Sequence, residues 1–310
     1  MSPRESALLS IEVGPAGAPR ASTAEHRVPA VIERVGEILV RHGALDARAA
    51  LRVVEHQTGS GKLFGETAVA LRLVDQQALA RALAEQADVL LDPQSLAAIS
   101  SEVIAAHQPF SAATEQLRAL RTRLQLAPAS GPAAGRGRVI AVVSADSGEG
   151  RSWLAANLAV VYAQRGRRTA LIDADLRTPR QHRLFGGVGG DGLAAWLAGR
   201  AEDAGLHPVP GVRHLELLPA GHRPPNPQEL LASDAFERTV RSLAVSHDTV
   251  VLDTPPANRC ADFAFAASVA DVVLLLVRRD RTRIAAVREL AQRLGELGRP
   301  PLGIVVNEKR

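Results

Sequence analysis

Short apolar runs alternate with segments of helical spacing over the C-terminal two-thirds of the chain. Six runs have the length of strands: "VIAVV" (139–143), "TALID" (169–173), "LELLP" (215–219), "TVVLD" (249–253), "DVVLLLV" (271–277) and "LGIVVN" (302–307). Continuously apolar runs are typical of strands that are buried on both faces, and intervening helices favour parallel connections. The pattern predicts an α/β fold with a doubly wound, mostly parallel sheet.

An internal repeat precedes this region. The segments "RVGEILVRHGALDARAALRVVEHQ" (34–57) and "LFGETAVALRLVDQQALARALAEQ" (63–86) are separated by "TGSGK", so the pattern recurs every 29 residues. Asp46 and Asp75 occupy equivalent positions, where a side-chain oxygen caps a following helix. Each copy is therefore predicted to form two short helices joined by a tight turn.

These patterns divide the chain into four parts. We expect a flexible tail at 1–29, a small helical repeat domain at 30–92, a linker at 93–110 and the α/β domain at 111–310. The α/β domain opens with the helical segment "TEQLRALRTRL". On this helix we expect three leucines to share one face and the charged residues Glu115, Arg118 and Arg121 to lie on another.

A glycine-rich turn, "SADSGEGRSW" (144–153), directly follows the first strand of the α/β domain. Backbone N–H groups of such a turn, with the positive end of the next helix, form a phosphate site. Compared with the pattern G-x-x-x-x-G-K-[ST], Ala145 occupies the first glycine position, Arg151 the lysine position, and Ser152 is retained. By itself, the stretch fits a phosphate loop and an ordinary strand-to-helix turn about equally well.

Carboxylates at two other strand ends favour the phosphate loop. Asp173 and Asp175 end the strand "TALID" and its extension, and Asp253 ends "TVVLD". Parallel α/β sheets bind ligands at the carboxyl ends of their strands. Hard oxygen ligands beside a phosphate loop are what a nucleotide-bound Mg²⁺ requires. The sequence thus predicts a metal–nucleotide site.

The motifs in this order resemble a known family. "SADSGEGRSW", "LIDADLRTPRQHRLF", "LPAGHRPPNPQELL" and "VLDTPPANRCAD" are similar to the Walker A, A′, linking and Walker B segments of bacterial tyrosine kinases (BY-kinases). These are cytoplasmic P-loop ATPases that work with polysaccharide co-polymerases in capsule and exopolysaccharide export. The resemblance covers about residues 107–307 and is nearest to the EpsG-type chain-length determinant kinases.

The resemblance implies ATP and Mg²⁺ as ligands and gives individual residues their roles. The implied catalytic residues are Arg151, Asp173, Asp175 and Asp253. The implied metal ligands are Ser152, Asp173, Asp175 and Asp253. The implied nucleotide contacts are Ser147, Gly148, Glu149, Gly150, Arg151, Ser152, Trp153, Arg177 and Asn307. Because "EQLRALR" matches the family's E-x-x-R-x-x-R helix, the residues Glu115, Arg118 and Arg121 are implied to mediate oligomerisation. Since arginine replaces lysine at 151, we expect retained ATP affinity with slow or partner-dependent turnover.

The N-terminal repeat resembles a second module, the N-terminal (MshEN-type) domain of type II secretion and pilus ATPases. Some members of that family bind cyclic di-GMP, which would implicate Arg34, Gly36 and Gly65 here. The second copy begins "LFG" and lacks the arginine of the first, "RVG". A docking or dimerising domain is an equally good interpretation.

Composition narrows the function classes. Aromatic residues make up 3% of the 310 residues, which argues against single-stranded nucleic-acid binding. The longest apolar runs fall far short of the roughly 18 residues of a membrane span, and the N-terminus lacks the features of a signal peptide. A single cysteine excludes an internal disulfide. We expect a cytoplasmic protein that is peripheral at the inner membrane through a partner.

The tyrosine content bears on the reaction. Tyr162 is the single tyrosine, and the sequence ends "VVNEKR" without the tyrosine-rich tail typical of the family. We therefore expect no autophosphorylation of a tail. The leading hypothesis is a Mg-ATP-dependent, tyrosine-kinase-like ATPase that regulates exopolysaccharide chain length and export with a membrane co-polymerase.

Two alternatives stay open. One is a non-kinase adaptor that senses ATP and, through the helical module, cyclic di-GMP. The other is a ParA/MinD-like positioning ATPase, against which Asp146 argues because it stands where that group carries a signature lysine.

Overall fold

The computed structural model describes residues 9–12, 35–60, 63–86, 93–127, 135–187 and 190–308. These residues form two compact units. The larger contains 9–12 and the described residues from 93 to 308, and the smaller contains those from 35 to 86.

The strands in chain order are β1 (Leu9–Glu12), β2 (Arg138–Ser144), β3 (Thr169–Asp173), β4 (His207–Pro208), β5 (Leu215–Leu218), β6 (Thr249–Asp253), β7 (Val272–Arg278) and β8 (Gly303–Asn307). The helices are α1 (Val35–Arg41), α2 (Ala47–Ser60), α3 (Phe64–Ala70), α4 (Gln76–Gln86), α5 (Pro93–Ala98), α6 (Ile104–His107), α7 (Ala112–Leu126), α8 (Arg151–Ala163), α9 (Gln181–Leu184), α10 (Gly192–Leu197), α11 (Pro227–Leu231), α12 (Asp234–Ser246), α13 (Asp262–Val269) and α14 (Ile284–Glu296). All six predicted strands are present.

The larger unit is built on one sheet, in which the described strands follow the order β1-β8-β7-β2-β6-β3-β5-β4. The six strands from β8 to β5 are parallel, whereas β1 and β4 pair antiparallel at the two edges. Alternate residues of the central strands enter two apolar cores: Ile140 and Val142 face one core, and Val139 and Ala141 the other. The predicted α/β fold class is therefore confirmed.

Part of the predicted flexible tail differs from the expectation. Leu9–Glu12 forms β1 and pairs with β8, with Leu9 opposite Asn307. The other residues of the predicted tail lie outside the described residues. A strand of four residues is too short to give a clear periodic signal in the sequence.

The segment predicted as a linker, 93–110, also differs. Ile99, Val103 and Ala105 are buried in the core of the larger unit. Asn157 of α8 accepts a hydrogen bond from the backbone N–H of Ala105 at 2.9 Å, and Gln164 donates one to the Ala105 carbonyl at 2.9 Å. Short helices interrupted by turns do not show the 3.6-residue period, so this packing could not be predicted from the sequence pattern.

The smaller unit has the predicted repeat of helix pairs. The backbone N–H of Ala49 donates to the Asp46 carboxylate at 2.7 Å, and that of Ala78 donates to Asp75 at 2.6 Å, so both predicted caps are confirmed. The turns correspond as well, since Gly43 and Arg72, which are 29 residues apart, both have positive φ (68° and 56°).

Two repeated glycines of this unit allow close helix packing. A Cβ atom on Gly36 would lie 3.0 Å from the ring of Phe64, and one on Gly65 would lie 2.5 Å from Leu79. No helix in the described part of the chain is long and apolar enough to cross a membrane.

Candidate nucleotide site

The candidate site lies at the carboxyl ends of three neighbouring parallel strands, β2, β6 and β3. Asp253 of β6 is in register with Val142 of β2 on one side and with Asp173 of β3 on the other. Adjacent strands are about 4.8 Å apart, so this register places the two carboxylates side by side. The phosphate loop follows β2 directly, and the predicted meeting of loop and carboxylates is present.

The loop at 145–150 has the backbone of a close-approach turn. Gly148 and Gly150 have φ values of 78° and 106°, which residues with a side chain rarely adopt. A Cβ atom on Gly150 would lie 2.5 Å from Nδ2 of Asn307. Helix α8 begins immediately afterwards at Arg151, so its N-terminal N–H groups lie beside the loop.

Glu149 organises the loop from within. Its carboxylate is fully buried, where it accepts the backbone N–H of Asp146 at 2.8 Å and the hydroxyl of Thr282. The side-chain amide of Asn307 donates to the Glu149 carbonyl at 2.8 Å. Asn307 therefore holds the loop in position, and its expected contact with the nucleotide stays a prediction. Thr282 gave no signal in the sequence because it lies 133 positions from Glu149.

Arg151 joins the loop to the end of β6. Its Nε donates to the Thr254 carbonyl at 2.8 Å, and its Nη1 donates to the Asp146 carbonyl at 2.8 Å and to the Ser144 hydroxyl. The side chain is buried, which lowers the pKa of the guanidinium, while the nearby Asp253 carboxylate opposes that change. Nη2 makes no hydrogen bond among the described residues and is therefore available to a phosphate.

The two carboxylate oxygens of Asp253 differ in their hydrogen bonding. Its Oδ2 accepts a hydrogen bond from Nε2 of Gln181 at 2.7 Å, whereas its buried Oδ1 has no hydrogen-bond partner among the described residues. Burial raises the pKa of Asp253 to about 6, although the Gln181 hydrogen bond and the Arg151 charge both lower it. A buried acceptor without a partner fits a ligand such as a cation or its bound water.

Asp173 and Asp175 are more fully engaged. Oδ2 of Asp173 accepts the backbone N–H groups of Arg180 and Gln181, both at 2.9 Å, at the start of α9. Burial raises the pKa of Asp173 well above its usual range, and the Asp253 charge raises it further. Asp175 accepts the backbone N–H of Thr178 at 2.9 Å and its hydroxyl at 2.8 Å.

The donor set fits Mg²⁺ held mainly through a nucleotide. Within the described ranges, no three His, Cys, Asp or Glu side chains converge as a metal-binding group, so the expected trio of carboxylates does not form a cage. Mg²⁺ in nucleotide sites uses one or two protein oxygens, with phosphates and waters completing the shell. Oδ1 of Asp253 and the nearby hydroxyl of Ser152 meet that requirement.

Two residues expected to bind nucleotide are engaged elsewhere. Arg177 forms a two-point ion pair with buried Asp262, with Nε–Oδ2 and Nη2–Oδ1 distances of 2.8 and 3.2 Å. The hydrogen bond to Asp262 raises the pKa of Arg177. Trp153 packs against the apolar core beneath α8. The nucleotide contacts expected of both residues stay predictions, and Ser147 and Gly148 remain at the loop surface.

The charged residues of α7, the predicted oligomerisation helix, differ in their exposure to solvent. Glu115 and Arg118 form an ion pair, with Glu115 exposed to solvent. Arg121 is instead buried and donates from Nη1 to the Val161 carbonyl at 2.6 Å. Burial lowers the pKa of Arg121. Arg121 therefore fixes α7 to α8 and is not presented to a neighbouring subunit, which corrects the expectation for this residue.

Comparisons with known proteins cover the part of the chain that contains this candidate site. Residues 140–310 match the model of the CobQ/CobB/MinD/ParA nucleotide binding domain family. The tyrosine-protein kinase YwqD of Bacillus subtilis is 34% identical over 67% of this chain and 86% of its own length. The chain belongs to the bacterial tyrosine-protein kinases of this P-loop family. It is a kinase-like enzyme, and the loop and strand ends described above lie within its nucleotide-binding domain.

Other relatives share the same part of the chain. The tyrosine-protein kinase Wzc of Salmonella typhi is 31% identical over 67% of this chain, which spans 28% of Wzc. Among solved structures, the kinase domain of Escherichia coli tyrosine kinase ETK has a TM-score of 0.62 at 30% identity, covering 66% of this chain and 79% of that domain. The chimerical protein CapA2B2 also has a TM-score of 0.62 at 30% identity, with 68% and 91% covered.

The helical unit lies outside the family match. Its resemblance to the MshEN-type module and the EpsG-type assignment stay predictions, as does cyclic di-GMP binding. Arg34 lies outside the described residues, and the packing of Gly36 and Gly65 explains both glycines without a ligand.

Proposed function

We propose that the protein is a Mg-ATP-dependent tyrosine kinase that regulates exopolysaccharide chain length and export with a membrane-anchored co-polymerase. The observation that carries the proposal is the pairing of Asp253 with Asp173 beside the phosphate loop, with Oδ1 of Asp253 buried and without a hydrogen-bond partner among the residues that the structure describes. The names of its relatives, which are tyrosine-protein kinases or putative ones, support the same reaction class.

Each group of the site has a part in phosphoryl transfer. The loop N–H groups and Nη2 of Arg151 bind phosphate oxygens. Mg²⁺, bound with the nucleotide through Ser152 and Asp253, supplies neutralisation of the phosphate charge. Asp173, in register with Asp253 beside the loop, is assigned the role of accepting the proton of the attacking hydroxyl.

The acceptor is proposed to be a tyrosine of another protein. Tyr162 is the single tyrosine of the sequence and is 2% exposed. Burial raises the pKa of its hydroxyl to about 12. A hydroxyl inside the core between α7 and α8 cannot enter an active site without local unfolding. We place the partner at the inner membrane, and the proposed subunit contact uses Glu115 and Arg118 of α7.

A phosphotransfer assay tests the proposal. The full chain is incubated with Mg²⁺, γ-labelled ATP and a synthetic glutamate–tyrosine copolymer, beside the Asp253→Asn variant. Label on tyrosine with the wild-type chain, and none with the variant, is the expected result. ADP release without label would favour an assembly ATPase or a nucleotide-sensing adaptor, and absence of ATP binding would overturn the proposal.

A further inference from the structure

The turn between β7 and α14 is attached to the phosphate loop by two hydrogen bonds. Nη1 of Arg278 donates to the Gly148 carbonyl at 3.2 Å, and the Thr282 hydroxyl donates to the buried carboxylate of Glu149. The same hydroxyl accepts the backbone N–H of Arg278 at 2.8 Å, which closes the turn. The intervening residues are therefore held next to the loop at both ends.

Within this turn, the guanidinium of Arg281 lies flat against the loop at Gly148. A Cβ atom on Gly148 would be 3.8 Å from each of Cζ, Nη1 and Nη2 of Arg281. Equal distances to three atoms of the planar group mean that its face, and not one edge, covers the glycine. The N–H groups at its edge are left to donate to a ligand bound in the loop.

Arg281 also differs from its neighbours in its charge partners. Nη1 of Arg279 forms an ion pair with Glu308 at 2.8 Å, and Nη1 of Arg278 donates a hydrogen bond to the Gly148 carbonyl. In the part of the chain that the structure describes, the Arg281 side chain has no hydrogen bond or ion pair and is exposed. An uncompensated cation is thus held beside a site that receives the anionic phosphates of a nucleotide.

We propose that Arg281 is a phosphate-binding residue of the nucleotide site, supplied by the β7–α14 turn. This rests on the proposed function. A guanidinium binds phosphate oxygens through two parallel N–H groups, which an ammonium group cannot do. The contact adds a second arginine to the loop beside buried Arg151, and it strengthens with the number of phosphates.

Binding calorimetry of the full chain with Mg-ATP, Mg-ADP and adenosine tests the assignment. We compare the wild type with Arg281→Ala, with Arg281→Lys and with the matched control Arg279→Ala, whose arginine is paired with Glu308. For Arg281→Ala, we expect about tenfold weaker binding of Mg-ATP, which corresponds to one charge-assisted hydrogen bond, and no change for adenosine. Arg281→Lys should recover part of the loss, and Arg279→Ala should bind as the wild type does.

The outcomes separate the two levels of the proposal. If the wild type binds neither nucleotide, the proposed function fails. If it binds them and Arg281→Ala binds equally well, Arg281 has no phosphate contact. An equal loss of affinity for adenosine and Mg-ATP in Arg281→Ala would instead assign the residue to the base or ribose. A similar loss of Mg-ATP affinity in Arg279→Ala would show that the effect comes from general surface charge. Each of the last three results overturns the assignment of Arg281.

Discussion

Replacing Asp253 by asparagine should stabilise the protein while abolishing its activity. Burial raises the pKa of Asp253 to about 6 from an ordinary value of 3.8. An acid with a higher pKa in the folded protein binds its proton more tightly when folded, so stability falls as pH rises through this range. The difference between the two pKa values corresponds to a destabilisation of ~3 kcal/mol. This destabilisation is fully present above pH 6 and absent below about pH 4.

The assay is denaturant unfolding at pH 8 and at pH 4.5, without nucleotide, for the wild type and Asp253→Asn. We expect the variant to be more stable by about 3 kcal/mol at pH 8 and by much less at pH 4.5, where the wild-type carboxyl is largely protonated. Asp234→Asn is the matched control, because that side chain is 93% exposed and should show little change at either pH. A difference between wild type and Asp253→Asn that is independent of pH, or a less stable variant at pH 8, would refute the reasoning.

Three further predictions concern the loop and the core. Arg151→Lys should lower the free energy of unfolding by about 2 kcal/mol, because one ammonium cannot reach both Thr254 and Asp146. The same change should raise ATP hydrolysis, since the cation is then free to bind phosphate, and unchanged or slower ADP release would contradict this. Gly150→Ala should weaken Mg-ATP binding at least tenfold in calorimetry and lower stability by about 2 kcal/mol, since its φ of 106° and the nearby Nδ2 of Asn307 exclude a Cβ atom; wild-type affinity would show that the loop adapts. Tyr162→Phe should raise the thermal midpoint slightly, by removing a buried hydroxyl without a partner among the described residues, and leave labelling of the copolymer unchanged; lost labelling would implicate Tyr162 in the reaction.

The sequence was sufficient where the signal is local. A continuously apolar strand such as "TALID" is recognisable because every residue is buried, and the structure gives it the same bounds. The caps at Asp46 and Asp75 follow from a side chain three residues before its partner. The order of loop and strand-end carboxylates was also local, and parallel topology then brought Asp173 beside Asp253.

Contacts between distant residues could not be predicted in this way. Gln181 lies 72 positions from Asp253, and Thr282 lies 133 from Glu149, so neither has a spacing that marks it. Arg121 is different, since it follows Leu117 by four residues and precedes Leu124 by three. Helical geometry places Arg121 on the buried face with these leucines. It was assigned to the exposed face because its side chain is charged, although its spacing predicted burial.

Mg²⁺-dependent release of ADP from ATP tests the central claim most directly, measured for the full chain and for Asp253→Asn with the tyrosine copolymer present. The claim predicts hydrolysis that requires Mg²⁺ in the wild type and falls by about a hundredfold or more in the variant. Equal rates in the two proteins, or hydrolysis that persists when Mg²⁺ is chelated, would contradict a metal–nucleotide site built on Asp253.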